Sequence, residues 1–249
     1  MVEIAGALAG TALLVCGDPK TCRVISEALH PLAILPEVCE RVSTAAGLLK
    51  GKKFEAVIVD LLLGDEAVLL VDQLRTSPAN RTAVSFAIAS GRKAEDAVKP
   101  GSTFLLQRPL LQASVNQIFR TAYGLIVRER RRYFRCQIAV PAFVRAGQPE
   151  ELFCHTVDIS EGGVAVSAPP ALDLSLAASV RFSLPGKASQ LLADTRVRWR
   201  DKRGVIGLEF QALPSAQKSE LQEWLAGKLE ETLPQSVAAL FRSVSQVPP

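Results

Sequence analysis

The chain has 249 residues, of which 48% are apolar and 22% charged, with a net charge of +4. That is long enough for two domains with a core each, and its globular composition excludes a disordered or fibrous chain. No stretch runs long enough without charge to cross a bilayer, which leaves a soluble protein.

The opening segment Met1–Cys16 is apolar, but it carries Glu3 and no basic residue before its apolar run. Export is therefore not expected, and the location expected is cytoplasmic. Five short apolar runs follow in order: Ala12 to Cys16, Ile34 to Val38, Ala56 to Leu61, Val84 to Ala89 and Thr103 to Gln107. They read as buried strands of a parallel sheet covered on both faces. Amphipathic stretches alternate with them at Cys22 to Leu29, Val42 to Leu49 and Val68 to Leu74, with a short, poor one at Ala94 to Val98. Alternation of this kind predicts a doubly wound sheet whose functional edge lies at the carboxyl ends of the strands.

Asp60 closes the Val57-Ile58-Val59-Asp60 strand and Arg108-Pro109 closes the last one. That order, over residues 10 to 125, resembles the receiver domain of two-component response regulators, a flavodoxin-like fold. The resemblance implies Asp60 as phosphoacceptor, beside a magnesium ion held by an acidic pair after the first strand. Here those positions read Cys16-Gly17, and only the following Asp18 is acidic. The family's lysine before proline is Arg108, and its hydroxyl residue after the fourth strand is missing, as Ala89, or displaced to Ser90. Magnesium needs oxygen ligands in near-octahedral geometry, so the phosphoryl chemistry is damaged. The first half reads as a pseudo-receiver with Asp60 a vestigial acid, working through contact.

Val115, Ile118, Phe119, Ala122 and Ile126 recur at helical spacing and run straight into a basic cluster: Arg128, Arg130, Arg131, Arg132 and Arg135. No Ser/Gly/Pro-rich linker intervenes, and residues 1–124 and 125–249 are the two expected domains. After Arg135 the pattern is alternating and β-branched: Cys136 to Arg145, Leu152 to Ile159, Gly163 to Ser167, Ala178 to Leu184, Leu191 to Arg200 and Val205 to Phe210. Pro185-Gly186 and Asp201-Lys202-Arg203-Gly204 supply turns, so an all-β, six-stranded antiparallel barrel is predicted. A C-terminal helix follows Pro214-Ser215, over Ala216 to Leu229.

Two elements of this half carry chemistry. Arg131-x-x-x-Arg135 offers two guanidinium forks, which suit phosphate oxygens and the O6 and N7 acceptors of guanine. In Asp158-Ile159-Ser160-Glu161-Gly162-Gly163, a carboxylate can accept from guanine N1–H and N2–H, a hydroxyl can bond base or backbone, and glycines let the chain turn close to a ligand. Either motif alone is common; an Asx turn explains the second. Together, in this order and followed by Gly207-Leu208-Glu209-Phe210, they resemble the PilZ domain, the receptor module for cyclic di-GMP.

The resemblance covers residues 128 to 232 and implies a barrel whose arginine segment folds over its mouth to clamp the dinucleotide. It implies Arg131 and Arg135 on phosphates and guanine edges, and Asp158, Ser160 and Gly163 at the base. Arg130 and Arg132 are further candidates, as phosphate contacts, as stacking planes or, equally, as exposed partners of Glu129. Arg198 and Arg200, flanking Trp199, are read first as a solvated strand face, with an extension of the basic surface as the alternative.

Five cysteines without a CxxC pair read as reduced thiols, and neither metal nor cofactor is expected. No phosphate-cradling glycine loop or nucleophile with its base is visible, so the chain is expected to read the messenger rather than act as an enzyme on it. Expected partners are cyclic di-GMP and a protein the sequence leaves unidentified, with a homodimer open and neither membrane nor nucleic acid expected. The competing reading is a ligand-free scaffold acting through protein–protein contact.

Overall fold

The computed structural model describes residues 9–91, 103–146, 150–167 and 177–245. The chain divides into two compact units, residues 1–130 with 232–249, and residues 131–231. The boundary therefore falls later than the expected 124/125, and the C-terminal segment counts with the first unit rather than with the barrel. Its apolar residues lie at helical spacing, and Leu233, Val237 and Phe241 are buried.

The first unit is built on five parallel strands, β1 (Gly10–Val15), β2 (Ile34–Cys39), β3 (Ala56–Asp60), β4 (Val84–Ala89) and β5 (Thr103–Gln107), in the order β2-β1-β3-β4-β5. Strand order reverses between β1 and β3, which opens a crevice at their carboxyl ends, where Asp60 stands. Every residue of β3 and β4 is buried, which is why all but Asp60 and Ser85 are apolar, while edge strand β2 exposes Leu35 and Val38.

Helices α1 (Pro19–Leu29), α2 (Val42–Gly51), α3 (Asp65–Leu74) and α4 (Gln112–Tyr133) join this sheet in sequence. Two of them start earlier than apolar periodicity predicts, because a first helical turn is polar. Asp18 caps α1 by accepting from the N–H groups of Lys20 and Thr21 at 3.3 and 3.0 Å, with Pro19 at the first position. Asp65 and Glu66 occupy the first turn of α3. The helix expected at Ala94 to Val98 lies outside the described residues.

The second unit is a closed antiparallel barrel of six strands. In spatial order these are β8 (Leu152–Ser160), β7 (Pro141–Ala146), β10 (Ala177–Ser183), β11 (Gln190–Arg200), β12 (Val205–Ala212) and β9 (Gly163–Ser167), with β9 closing onto β8. The expected strand from Cys136 to Arg145 is two pieces, because the Thr156 hydroxyl accepts from Val140 N–H at 3.0 Å and donates to the Ile138 carbonyl, interrupting the ladder. The short first piece, β6 (Cys136–Gln137), pairs with β8 alone. Val144, Ile159, Val166, Val180, Phe182 and Leu208 are among the side chains that fill the interior.

Helix α5 (Ser215–Thr232) sets Leu221, Trp224 and Leu225 into that core, and the Trp224 indole N–H donates to the Pro185 carbonyl at 3.1 Å. A further helix, α6 (Gln235–Ser245), follows in the C-terminal segment. Among the described residues, no helix is long and apolar enough to cross a membrane.

Candidate functional site

Helix α4 stops at Tyr133, where the Phe134 N–H donates to the Arg131 carbonyl at 3.2 Å. Arg131 is thus in the last turn, while Arg135 is beyond it in extended chain, so the two forks do not share a helix face. The chain then enters β6, whose register sets Cys136 opposite Ile159 and Gln137 opposite Asp158. This pairing carries Arg135 to the DxSxxG segment. Its guanidinium meets the Asp158 carboxylate at 3.1 Å, with the arginine 57% and the aspartate 13% exposed.

Asp158 and Ser160 lie on the last residues of β8, and a two-residue turn, Glu161-Gly162, returns the chain as β9 with Ser160 opposite Gly163. The buried Ser160 hydroxyl donates to the Gly163 carbonyl at 3.0 Å, closing the turn across its base. Gly163 has a steric reason to be glycine: a Cβ there would lie 2.2 Å from the Leu208 carbonyl oxygen of β12. On the next hairpin, Gly207 stands opposite Trp199, and a Cβ at Gly207 would fall 2.3 Å from the indole. The ring therefore lies flat on the glycine, leaving Trp199 43% exposed.

These elements border an open cavity of about 570 Å³ at one end of the barrel. Its walls include Arg132, Arg135, Ser160, Gly163, Trp199 and Lys218. Arg198 also borders it, held in a two-pronged pair with Glu209 at 2.7 and 2.9 Å. The cavity thus combines cationic side chains, an exposed indole face, a hydroxyl and close-lying backbone, which suits a planar, anionic ligand.

Placement divides the predicted residues. Arg132, Arg135, Ser160 and Gly163 line the cavity, and Asp158 joins them through Arg135. Among the described residues its walls include neither Arg130 nor Arg131. Arg130 belongs to the first unit, 3.6 Å from the buried Glu55 carboxylate, and Arg131 is half-buried in the final turn of α4. Sequence reasoning passed over Lys218, which arrives from α5; it took Gly207 only as part of the Gly207–Phe210 run, although its place opposite Trp199 was recoverable by folding the hairpin about the Asp201–Gly204 turn.

In the first unit, Asp60 is buried and bonded. Its Oδ2 accepts from Arg108 Nη2 at 2.6 Å and from the Cys16 thiol at 3.3 Å. Burial, helped by the neighbouring Asp60, pushes the Cys16 thiol up to about 12, so it stands protonated and donates. Among the described residues no group of three or more His, Cys, Asp or Glu is placed to hold a metal ion.

Fold and site together define a two-part protein, a receiver-like α/β unit followed by a six-stranded barrel with a ligand-sized cavity at its mouth. Residues 129–227 match the family model of the PilZ domain, and this part of the chain is a PilZ domain. A comparison with curated protein sequences finds no match.

Among solved structures, the inhibitor of motility MotI/DgrA of Bacillus subtilis is similar at 20% identity over 40% of this chain, with a TM-score of 0.35. This chain covers 51% of that protein, about half its length. The PilZ domain of CeSA from a cellulose-synthesizing bacterium is 20% identical over 38% of this chain and 97% of its own, with a TM-score of 0.32. For the first half, a CheY-like receiver domain from Methylobacillus flagellatus is 25% identical over 46% of this chain and 98% of its own, with a TM-score of 0.38.

Proposed function

We propose that the chain is a cyclic di-GMP receptor that senses the dinucleotide at the barrel mouth and relays it by conformational change or partner contact. The observation that carries this reading is the pairing of Arg135 with Asp158, one charge from each motif, beside a cavity floored by Trp199 and Gly163. With the arginine mostly exposed, this pair is worth about 1 kcal/mol or less, so exchanging it for ligand costs little. The ligand must then offer an acceptor to the guanidinium and donors to the carboxylate. A guanine nucleotide offers both, through its phosphate or O6/N7 edge and its N1–H and N2–H groups. The indole supplies a face on which a base stacks.

On this reading Arg132 and Lys218 add positive charge for the phosphates, and the protein reads the messenger rather than making or degrading it. The arginine segment is the direct continuation of α4, so ordering it on ligand is the step that a partner or the first unit would detect. Calorimetric titration of cyclic di-GMP into the full chain, with GTP as control, tests the reading. Tight binding that weakens roughly tenfold to hundredfold in Arg135→Ala and in Asp158→Ala is the expected result, since each lost charged hydrogen bond costs about 1.5–3 kcal/mol. Wild-type protein that shows no binding by heat or by a second probe would instead support the ligand-free scaffold.

A further inference from the structure

The first unit holds a second constellation, at the carboxyl ends of β1, β3 and β5. A receiver-like sheet implies a divalent cation there, held by carboxylates beside the strand-end aspartate, and the residues present do not fit one. Where two acids would offer oxygens stand Cys16, whose thiol donates rather than accepts, and Gly17, which Leu63 covers closely enough to meet a Cβ there at 3.7 Å. The remaining acid, Asp18, is committed to the start of α1. It accepts from the N–H groups of Lys20 and Thr21 and from the Thr21 hydroxyl at 2.6 Å.

Asp60 itself is 3% exposed and engaged at both oxygens. Oδ1 accepts from Leu62 N–H at 3.1 Å, and Oδ2 takes the Arg108 guanidinium at 2.6 Å together with the Cys16 thiol at 3.3 Å. The other terminal nitrogen of Arg108 donates to the Thr21 hydroxyl at 3.0 Å.

We propose that Arg108, from the place of the family's lysine, is among the described residues the sole and permanent counter-ion of Asp60 where a receiver would add a metal ion, and that it keeps the first unit in one state whatever the supply of phosphodonor. The guanidinium ties the end of β5 to β3 and to α1, joining three elements with one planar group. It neutralises Asp60, but as a planar donor it lacks the octahedral positions through which a divalent cation holds carboxylate and phosphoryl oxygens together. Opening the pair exposes a buried carboxylate without compensation, which is costly, so the arrangement holds itself shut.

The test uses the full chain, incubated with acetyl phosphate and magnesium and read by intact mass. Wild-type protein should gain no phosphoryl group. Cys16→Asp/Arg108→Lys, which returns an oxygen ligand and removes the fork, should gain one that disappears when Asp60→Asn is added. Phosphorylation of the wild type at Asp60 would overturn the proposal. Should the double variant stay inert, a thermal cycle decides: Asp60→Asn and Arg108→Gln are each expected to lower the first unit's midpoint by about 10 °C, and the pair together by no more than the worse single. Additive losses would mean that the two side chains are not coupled, and the proposal would fall.

Discussion

The last glycine of the DxSxxG segment provides an internally controlled test of why that motif has its form. A Cβ placed on Gly163 lands 2.2 Å from the Leu208 carbonyl oxygen and 3.2 Å from the Glu209 Cα, both backbone atoms that no rotamer change can move. Restoring an ordinary carbon–oxygen separation of about 3.3 Å requires β9 and β12 to part by roughly 1 Å. Their ladder passes through Gly163–Glu209 and Val164–Leu208, and the Phe210 N–H bond to the Gly162 carbonyl at 3.0 Å lies at the same corner.

Losing one such bond costs about 1 kcal/mol and forced overpacking about 1–3 kcal/mol, so Gly163→Ala should destabilise the barrel by about 3 kcal/mol. For a domain of this size that lowers the melting midpoint by roughly 10–20 °C. Gly162→Ala, one residue away with nothing within 4 Å of its added carbon, should stay within about 0.5 kcal/mol of wild type. Both tryptophans of the chain, Trp199 and Trp224, lie in the second unit, so their fluorescence during urea unfolding reports on the barrel. If the two alanine variants unfold at the same urea concentration, the steric account of this glycine is refuted. Because the readout is stability, the result does not depend on whether a nucleotide binds.

Two further expectations concern buried ionisable groups. Glu129 is 4% exposed on α4 and bonds the Lys53 ammonium and the Thr82 hydroxyl, so Glu129→Ala removes the buried acceptor of both and should cost the first unit about 3 kcal/mol, measured by far-UV circular dichroism on urea titration; an unchanged midpoint would remove this network from the account of stability. Burial also lifts the Cys16 and Tyr123 groups to about 12 and Cys154 to about 11. Below pH 9 both states hold these protons and stability is full. Above it the unfolded thiols ionise first, the unfolded state binds fewer protons, and stability falls by about 1 kcal/mol per pH unit per thiol until the folded groups titrate. A urea midpoint that rises between pH 9 and pH 11 would contradict this sign.

Periodicity carried the architecture: continuous apolar runs marked β1, β3 and β4 because both faces of that sheet are covered, and alternation marked the barrel strands because each has one face inside. The order of the two motifs and the turn residues around Gly186 and Gly204, both at positive φ, were equally legible, since local backbone chemistry dictates them. The arginine cluster was not legible residue by residue. Consecutive residues on a helix point about 100° apart, so Arg130 turns to Glu55 while Arg132 reaches the cavity, and only the packing of α4 sets that phase.

The remaining site features join residues far apart in the chain. Arg108 reaches Asp60 across 48 positions, Arg135 reaches Asp158 across 23, and Lys218 comes to the cavity from a helix beyond the last strand. Sequence alone determined which strands, turns and chemical groups this protein has, because those follow from residue type and short-range spacing. Which charges meet was decided only by the tertiary structure, because a guanidinium takes whichever carboxylate the sheet register and helix phase bring within reach.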